Sequence, residues 1–393
     1  MNHKIRVLFL PKWYPNRYDP MPGLFIQRQA ESLTPFCDVA VIYVHPDPDC
    51  PNKFEADFSE ENEVRVLRVY YKVSNRAASF AVKAFNLWNF YKANRRAVHS
   101  IREFSPDLAH AHVLTRMGFI GWRVSRDLRI PLVISEHWSR YFPENNTYRG
   151  WIRKWLTSFV VKRAAAVIAV SDPLLSAMKR CNLQNKNYTV IPNVVDTEQF
   201  FPESEIAVQP VKTMVHISCF EDKSKNISGF LRSVKELSVK RKDFICLMVG
   251  EGHDWQAMQE YAAFLGIAGT FVRFTGVKRG SDLNDLINKA DFTVLSSRYE
   301  TFGTVLIESM SCGKPVVATA VGIAPEVINE KTGLLVSPGD EEAMTDALNR
   351  MLDKCRSYDK TIILESVAGK YSKDSIGNQL HALYQQVLSE IKA

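Results

Sequence analysis

Two glutamates in the last third of the chain have a spacing that suits ligand binding. Glu300 and Glu308 flank a Phe-Gly pair, Phe302 and Gly303, and follow a short apolar run typical of a buried strand. The pattern predicts a helix that begins near Phe302 and ends at Cys312, where a glycine follows. Free backbone N–H groups at a helix start can hold a diphosphate, and a glycine there lets an anion approach closely.

Carboxylates repel a diphosphate, so Glu300 and Glu308 are expected to contact neutral groups. Sugar and ribose hydroxyls suit them, because a carboxylate accepts strong hydrogen bonds from hydroxyls. The alternative is that both glutamates are solvated charges on a helix surface, which is the usual position of this residue type. On spacing alone, this second interpretation is favoured.

Short apolar runs alternate with helical patterns along both halves of the chain, which predicts βα units and parallel sheets. In the first half we predict strands at Lys4–Leu10, Asp38–Val44, Val64–Val69, Leu108–His112, Leu132–Ser135, Ala166–Val170 and Thr189–Ile191. In the second half we predict strands at Thr213–Ser218, Phe244–Val249, Phe271–Thr275, Phe292–Leu295 and Pro315–Ala318. The clearest helical patterns are Phe25–Leu33, Ser79–Phe104, Ile227–Val239 and Asp254–Leu265.

The 393 residues exceed the size of one ordinary core, so two domains are expected. We predict an N-terminal acceptor-binding domain at 1–200, a linker at 201–211, and a C-terminal donor-binding domain at 212–372. The linker contains two prolines and no periodicity. The last segment, 373–393, is predicted to be a helix that packs back on the N-terminal domain. Two doubly wound Rossmann-like domains would face each other across a cleft, with ligands at the carboxyl ends of the strands.

Composition is that of a globular protein, with 46% hydrophobic and 24% charged residues. The apolar run before Pro11 is too short for a secretory signal, and no run approaches a membrane-spanning length. The seven cysteines are dispersed, and no CxxC pair or Cys/His cluster indicates a metal or redox site. A reducing cytoplasm is therefore the expected location.

Charge is distributed unevenly between the halves. Residues 1–190 hold 28 Lys/Arg and 16 Asp/Glu (+12), whereas residues 191–393 hold 22 and 27 (−5). Two segments, Lys83–Arg102 and Trp151–Arg163, interleave aromatic and basic side chains. Such segments suit the surface of an anionic membrane and a lipid-linked acceptor. The alternative is that the aromatic rings are core residues and the charges are merely solvated.

The segment around the two glutamates resembles the signature of the retaining glycosyltransferases of family 4, which have the GT-B fold. That signature has two glutamates separated by seven residues, Phe-Gly after the first, and then Cys-Gly-x-Pro-Val-Val. Its counterparts here are Glu300, Phe302, Gly303, Glu308, Cys312, Gly313, Pro315, Val316 and Val317. The resemblance implies that Glu300 contacts the donor sugar as a catalytic residue and that Glu308 binds the ribose. It also implies that the diphosphate meets the backbone amides of Phe302, Gly303, Thr304 and Val305.

Further segments resembling the family extend along nearly the whole chain. They are Val190–Asp196, Val249–Gly252, Phe274–Val277, Gly322–Glu326 and Thr332–Val336. The resemblance assigns Gly250 to a turn beside the donor and Val277 to a loop whose backbone reads the nucleobase. It pairs Lys225 with the diphosphate.

The family's usual phosphate-binding arginine is missing, because its position falls on Cys219, which cannot pair with phosphate as arginine does. Lys223 or Arg298 could compensate.

In the N-terminal half, Gly23 corresponds to a family glycine whose backbone approaches the diphosphate, although it could simply shape a turn. His112 corresponds to a family histidine near the reacting carbon. His110 lies two residues earlier and so on the same face of a strand, but His112 is nearer the strand's end. The nearby Ser135-Glu136-His137 segment holds candidates for contact with the acceptor.

The resemblance implies a retaining hexosyltransferase-type enzyme that takes a sugar from a nucleotide diphosphate sugar. The implied acceptor is a glycan or lipid-linked molecule of surface polysaccharide or lipopolysaccharide synthesis, and no metal or other cofactor is expected. The alternatives are a GT-B sugar-nucleotide epimerase and a catalytically inactive sugar-nucleotide-binding protein. Nucleic acid is not an expected partner, because no recognised binding module accompanies the basic charge. A NAD-linked oxidoreductase is disfavoured because no Gly-x-Gly-x-x-Gly follows the first strand.

Overall fold

The chain forms two compact units, each built around its own sheet. A computed structural model describes residues 4–74, 80–203 and 209–392. The first unit comprises residues up to Trp138, Thr147–Val194 and the segment from Lys373 onward. The second comprises Ser139–Asn146 and Val195–Ser372. The first unit thus ends earlier than residue 200, where a domain boundary was predicted, and residues 204–208 of the predicted linker lie outside the described residues.

The strands and helices of the described residues alternate along the chain. The strands are β1 Ile5–Pro11, β2 Cys37–Asp47, β3 Phe54–Glu61, β4 Val64–Lys72, β5 Leu108–His112, β6 Leu132–Glu136, β7 Ala166–Ala169, β8 Tyr188–Val190, β9 Lys212–Ile217, β10 Phe244–Val249, β11 Val272–Gly276, β12 Phe292–Leu295, β13 Val316–Thr319 and β14 Gly333–Val336. The helices are α1 Leu24–Ser32, α2 Phe80–Ser100, α3 Arg116–Leu128, α4 Trp151–Arg163, α5 Asp172–Arg180, α6 Asp222–Lys225, α7 Ile227–Lys240, α8 Trp255–Phe264, α9 Gly280–Lys289, α10 Thr304–Ser311, α11 Ala324–Val327, α12 Glu341–Lys354, α13 Lys360–Val367 and α14 Lys373–Lys392.

The sheet of the first unit has the strand order β3-β4-β2-β1-β5-β6-β7-β8. Every pairing in it is parallel except that of β3 with β4, which is antiparallel. The sequence did not predict β3, because an edge strand with acidic residues lacks the apolar run of a buried strand. Charged side chains on such an edge also discourage pairing with another chain.

Helices pack on opposite faces of this first sheet. Residues of α1 and α14 join one buried cluster with Val7 and Phe9 of β1. The backbone of Gly121 in α3 approaches Ala111 and Leu132 on the other face. Helix α3 also contacts α2 and α4, so these three helices form one layer. Helix α14 lies where the terminal helix was predicted, at 373–393, and it packs against α1 of the same unit. At this contact Gly377 lies directly on the Ser32 carbonyl.

The second unit has an entirely parallel sheet with the order β11-β10-β9-β12-β13-β14. Residues of α7 and α12 cover one of its faces in a common buried cluster. Strand β9 pairs with both β10 and β12, so the direction of winding reverses between β9 and β12. Ligands of doubly wound sheets bind at the carboxyl ends of strands at such a reversal. The two parallel α/β units confirm the predicted fold class.

The predicted helix from Ser79 to Phe104 is shorter than its pattern suggested. Helix α2 ends at Ser100, and a separate 3-10 turn follows at Arg102–Phe104. Ser79 lies outside the described residues. The apolar and basic pattern continues through both elements, which is why the sequence did not separate them.

Candidate functional site

Two loops of the second unit meet at the reversal point of its sheet. Strand β9 leads into the four-residue helix α6, which ends at Lys225. Strand β12 leads into residues 296–303, here called the acidic loop, which carries Glu300. Because β9 and β12 are parallel neighbours, their carboxyl ends lie at the same edge of the sheet.

Lys225 and Glu300 form an ion pair between these two loops. The ammonium of Lys225 contacts Oε1 of Glu300, and the Ser297 hydroxyl donates to the same oxygen at 2.8 Å. The two charged side chains are only 17% and 12% exposed. Burial is the largest single influence and lowers the pKa of Lys225, but the Glu300 carboxylate, together with Cys219 and Glu221, outweighs it, so this pKa is raised above its ordinary value. Ser297 was not among the predicted site residues, although a hydroxyl three residues before a candidate carboxylate is a usable signal.

The acidic loop also fixes the backbone of α6. The Ser296 hydroxyl donates to the carbonyl of Lys225 at 2.7 Å, and the Arg298 N–H donates to the carbonyl of Ser224 at 2.7 Å. The guanidinium of Arg298 donates to the Asp222 carbonyl at 2.8 Å. The bonds to the carbonyl groups of Ser224 and Lys225 give partners to the end of the helix, whereas the Asp222 carbonyl also accepts the Asn226 N–H at 2.9 Å.

The two cations proposed to replace the missing arginine are therefore engaged in backbone contacts. Arg298 holds α6, and the Lys223 ammonium donates to the carbonyl of Asn145 at 2.9 Å within the same unit. Cys219 itself lies exposed in the loop between β9 and α6. Of these side chains, Lys225 is the one joined to a predicted site residue.

The helix after the acidic loop begins later than predicted. Gly303 is its N-cap, with a φ of 96°, and Thr304 is its first residue. Phe302 precedes the cap; its ring is buried 5.8 Å from that of Tyr371, and its carbonyl accepts the Ile323 N–H at 2.8 Å. The positive φ of Gly303 ends the extended chain that precedes the helix. Apolar spacing gives no information on backbone torsions, so it did not predict this later start. N–H groups at the start of α10, including those of Thr304 and Val305, have no partners inside the helix.

Gly322 brings the loop after β13 against the acidic loop. A Cβ at this position would lie 2.4 Å from the carbonyl oxygen of Phe302 and 2.9 Å from Cβ of Glu300. The residue therefore has to be glycine for the acidic loop to keep its position. This gives a physical role to the Gly322–Glu326 segment that the family resemblance singled out.

Glu308 is buried in the second turn of α10, with 7% exposure. This excludes the interpretation of Glu308 as a solvated charge on a helix surface. Glu300 is likewise shielded, so both members of the spaced pair depart from the usual position of glutamate.

The remaining predicted residues of the second unit lie in turns at the same sheet edge. Gly250 follows β10 with a φ of 129°, and a Cβ there would lie 1.9 Å from the Ser218 carbonyl oxygen. Its N–H donates to the Gly276 carbonyl at 3.0 Å. Val277 follows β11 directly. The three loops after β9, β10 and β11 are thus held close together by glycine backbone.

In the first unit, three buried histidines stack beside one another at the ends of β5 and β6. The ring centroids of His110 and His112 lie 4.2 Å apart, and those of His112 and His137 lie 5.5 Å apart. Burial lowers the pKa of His110 and of His137 to about 3, and burial together with the two neighbouring rings holds the pKa of His112 well below its usual range. All three rings are therefore neutral at physiological pH.

The hydrogen bonds distinguish His110 from His112. Both ring nitrogens of His110 have partners, the Tyr384 hydroxyl at 2.7 Å and the Ser135 hydroxyl at 2.8 Å. Nδ1 of His112 is hydrogen-bonded to Nε2 of His137 at 3.3 Å. Nε2 of His112, in contrast, has no hydrogen-bond partner among the described residues. The geometry thus favours His112 as the ring that can bond to a ligand.

The Ser135-Glu136-His137 segment mostly serves the fold. The Glu136 carboxylate accepts the backbone N–H groups of Leu114, His137 and Trp138 at 3.1, 2.8 and 2.8 Å. With Ser135 bonded to His110, His137 is the member of the segment whose contacts lead to a predicted site residue. Acceptor binding by this segment stays a prediction.

Gly23 is the N-cap of α1, with a φ of 76°. A Cβ at this position would lie 2.1 Å from the Trp13 carbonyl oxygen, so the local packing alone requires a glycine. A contact between this backbone and a diphosphate stays a prediction.

An Asp-x-Asp pattern, which is a common metal-binding pattern, occurs at Asp47-Pro48-Asp49 in the first unit. Ligand atoms of Asp47, Cys50 and Glu55 lie within 4.8 Å of one another. The Arg17 guanidinium already bonds the Asp47 carboxylate at 2.5 Å and the Glu55 carboxylate at 2.8 Å. Both carboxylates of this cluster are therefore already paired with a protein cation, and the expectation of a metal-free reaction stays a prediction.

The two aromatic and basic segments of the first unit contain both buried and exposed rings. Some rings are core residues, as one interpretation of the sequence held, and others are available to a membrane surface, as the other held. Phe90 is buried, and Phe159 packs against Trp122 of α3 with ring centroids 4.9 Å apart. In contrast, Trp88 of α2 is 59% exposed, and Trp151 of α4 is 77% exposed. No helix in the part of the chain that the structure describes has the length and apolar character needed to span a membrane.

Comparison with known proteins identifies the family of the chain. The family model described as glycosyltransferase family 4 matches residues 27–199, and the model described as glycosyl transferases group 1 matches residues 211–354. Together the two matches cover most of both units.

Individual relatives agree with this match. The alpha-D-kanosaminyltransferase of Streptomyces kanamyceticus is 25% identical over 71% of this chain and 76% of its own length. A putative teichuronic acid biosynthesis glycosyltransferase of Bacillus subtilis, TuaC, is 23% identical over 98% of this chain and 99% of its own length. A crystal structure of HepE from Anabaena with UDP and glucose is 19% identical, with a TM-score of 0.73 over 97% of this chain and 99% of that chain.

Proposed function

This chain belongs to the family 4 glycosyltransferases with the GT-B fold, and from that premise we propose that its second unit binds a nucleotide diphosphate sugar at Lys225, Glu300 and the start of α10. The observation that carries the proposal is the shielded Lys225–Glu300 ion pair beside the Gly303 N-cap. It joins a cation and free N–H groups, which suit a diphosphate, to a carboxylate, which suits sugar hydroxyls. The Anabaena relative, whose structure contains UDP and glucose, supports a donor of this class.

The proposed reaction needs stabilisation of negative charge on the leaving diphosphate. Lys225 and the N–H groups of Thr304 and Val305 supply it without a metal. We propose transfer with retention of the anomeric configuration, in which the acceptor attacks from the side of the leaving group and a diphosphate oxygen takes its proton. Glu308 binds the ribose in this proposal, and His112 contacts the donor sugar through its unpartnered Nε2.

Isothermal titration with UDP-, GDP-, ADP- and dTDP-sugars in the presence of EDTA tests the donor proposal. One tight binder that Glu308→Ala abolishes is the expected result, and product analysis by NMR then reports the anomeric configuration. Loss of binding on adding EDTA would refute metal independence. Failure of every nucleotide sugar to bind would contradict the donor proposal, whereas binding without transfer of the sugar to any acceptor would favour the inactive-protein alternative.

A single-substrate reaction separates the transferase from the epimerase alternative. Incubating the bound nucleotide sugar without an acceptor is expected to leave its configuration unchanged. Conversion to an epimer would refute transfer as the primary activity.

The acceptor side is proposed from the surface of α2 and α4. Helix α2 contains Lys83, Lys92, Arg95 and Arg96, α4 contains Arg153, Lys154, Lys162 and Arg163, and neither helix contains an acidic residue. All eight basic side chains are exposed, as are the rings of Phe85, Trp88, Trp151 and Trp155. Basic charge with exposed tryptophan suits an anionic lipid surface, so we propose peripheral membrane contact and a lipid-linked or glycan acceptor. One relative, TuaC of Bacillus subtilis, is named as a putative glycosyltransferase of teichuronic acid biosynthesis. This name supports an acceptor that belongs to surface polysaccharide synthesis.

Flotation with vesicles of anionic and of zwitterionic lipid tests the membrane proposal. The wild-type protein is expected to float with the anionic vesicles only, and the double variant Trp151→Ser/Trp155→Ser is expected to lose most of this binding. Phe264→Ser is the matched control, because Phe264 is an exposed aromatic residue of the second unit. Equal loss in the control, or no flotation of the wild type, would contradict the proposal. A cytoplasmic location stays a prediction.

A further inference from the structure

The Lys225–Glu300 pair occupies the groups that the donor needs. Oε1 of Glu300 contacts the Lys225 ammonium and accepts the Ser297 hydroxyl at 2.8 Å. Within this pair the two charges cancel. A diphosphate therefore meets an ammonium already bonded to a carboxylate, and it has to compete with Glu300 for that ammonium.

The surroundings of Lys225 strengthen this competition. The carboxylate of Glu221 lies close enough to add to the rise of the Lys225 pKa, and it is held by the Ser224 hydroxyl at 2.5 Å. Cys219, in the loop before α6, is a free cysteine and supplies no positive charge. Lys223 and Arg298 donate to backbone carbonyls of the same unit, as described above. Lys225 thus contacts the Glu300 carboxylate and lies within electrostatic range of a second carboxylate, while Lys223 and Arg298 donate to backbone carbonyls.

We propose that Lys225 and Glu300 exchange partners during the catalytic cycle and thereby distinguish the sugar donor from the nucleoside diphosphate product. This inference rests on the proposed function. When the complete donor binds, Lys225 turns to the diphosphate, and hydroxyls of the donor sugar replace it on Glu300.

The product lacks the sugar, so nothing replaces Lys225 on Glu300. A shielded carboxylate without a partner is costly, and Glu300 draws Lys225 back from the diphosphate. The pair therefore weakens binding of the product relative to the donor and promotes product release.

The variant Glu300→Gln tests this exchange, because it removes the charge while keeping the size and hydrogen-bonding capacity of the side chain. Isothermal titration with the nucleoside diphosphate of the active donor is expected to show binding about tenfold tighter than in the wild type. Affinity for the complete sugar donor is expected not to rise, because the gain at Lys225 is offset by weaker bonds to the sugar hydroxyls.

Glu221→Gln is the matched control. It removes the same charge close to Lys225 but leaves the ion pair in place, so its affinity for the nucleoside diphosphate is expected to change less than about threefold. If both variants bind the nucleoside diphosphate more tightly by the same factor, the cause is a general effect of charge, and the exchange is overturned. Unchanged or weaker product binding by a folded Glu300→Gln variant would also overturn it.

The wild-type protein supplies a second measurement that needs no variant. The exchange predicts that the wild type binds the sugar donor more tightly than the corresponding nucleoside diphosphate. Tighter binding of the diphosphate would overturn this inference alone if sugar transfer is observed. A wild-type protein that binds no nucleotide and transfers no sugar would overturn the proposed function as well.

Discussion

At the residue scale, the site of the second unit depends on one shielded ion pair and the hydroxyls around it. Ser297 fixes the Glu300 carboxylate, and Ser296 fixes the carbonyl of Lys225. His216 contacts the Ser296 hydroxyl at 3.0 Å from the strand below. The pair is thus supported by side chains that are themselves held in place, as a preorganised site requires.

Replacing Lys225 with methionine is expected to weaken donor binding about 100-fold. The change removes the ammonium that is proposed to bind the diphosphate, and it leaves Glu300 without its charged partner. Titration of the active nucleotide sugar into the variant measures the effect. Lys223→Met is the control, since this lysine lies on the same short helix but donates to the Asn145 carbonyl, and less than about threefold weakening is expected. Similar losses in both variants would contradict a specific role for Lys225.

The two adjacent histidines of β5 are expected to respond differently to substitution. His112→Ala should lower kcat by about 100-fold and should lower Tm less than His110→Ala does, because His112 has one internal hydrogen-bond partner, His137, and its Nε2 has none among the described residues. His110→Ala should lower Tm instead, because it leaves the hydroxyls of Tyr384 and Ser135 buried without their partner. Steady-state kinetics and thermal unfolding of both variants test this distinction. The reverse pattern would transfer the proposed role to His110.

At the scale of elements, the acidic loop is positioned by its neighbours as much as by its own sequence. Strand β12 and helix α10 determine where the loop starts and ends, and Gly322 sets its distance from the next loop. Helix α6 is too short to be stable alone and relies on bonds from the acidic loop.

Gly322→Ala is expected to reduce both stability and activity. The added Cβ would meet the Phe302 carbonyl oxygen at 2.4 Å and push the acidic loop away from Lys225. We expect a loss of about 2–3 kcal/mol in the free energy of unfolding together with lower kcat/KM, measured by urea unfolding and kinetics.

The control for this variant is Gly339→Ala, because Gly339 also has a positive φ, of 82°, but no atom lies within 4 Å of an added Cβ. The control should show only the backbone cost of about 1 kcal/mol and normal activity. Normal activity in Gly322→Ala would contradict the positioning role of the loop contact.

At the scale of the whole molecule, buried neutral histidines make stability depend on pH. His110, His137 and His216 have pKa values lowered to about 3 by burial, and that of His112 is also lowered. Between an unfolded value of about 6.5 and the folded value, the unfolded state binds more protons, so stability falls as pH falls through this window. By pH 5 each such histidine should lower the free energy of unfolding by about 2 kcal/mol.

Urea unfolding between pH 7.5 and pH 5 measures this dependence. His137→Asn is expected to reduce the slope of the unfolding free energy against pH by up to about 1.4 kcal/mol per pH unit, which corresponds to one proton. Equal slopes for the wild type and His137→Asn would show that folding leaves the pKa of His137 unchanged, and would contradict the lowered value.

The sequence by itself determined the family, the α/β class and most buried strands. Runs such as Phe244–Val249 and Phe292–Leu295 are buried in a parallel sheet, and the structure has them with the predicted bounds. The local signature around Glu300 and Glu308 led to the family, which the comparisons confirmed. These features are encoded by neighbouring residues, so a pattern in the sequence can reveal them.

Tertiary structure alone decided how the candidate groups are paired. Contact between Lys225 and Glu300, the use of Arg298 on the backbone of α6, and the difference between His110 and His112 all depend on residues distant in sequence. The edge strand β3 and the late start of α10 at Gly303 also escaped prediction, since polar edge residues and backbone torsions leave no apolar period. Hydrogen bonds between loops arise only when strands such as β9 and β12 become neighbours, and no local pattern records that pairing.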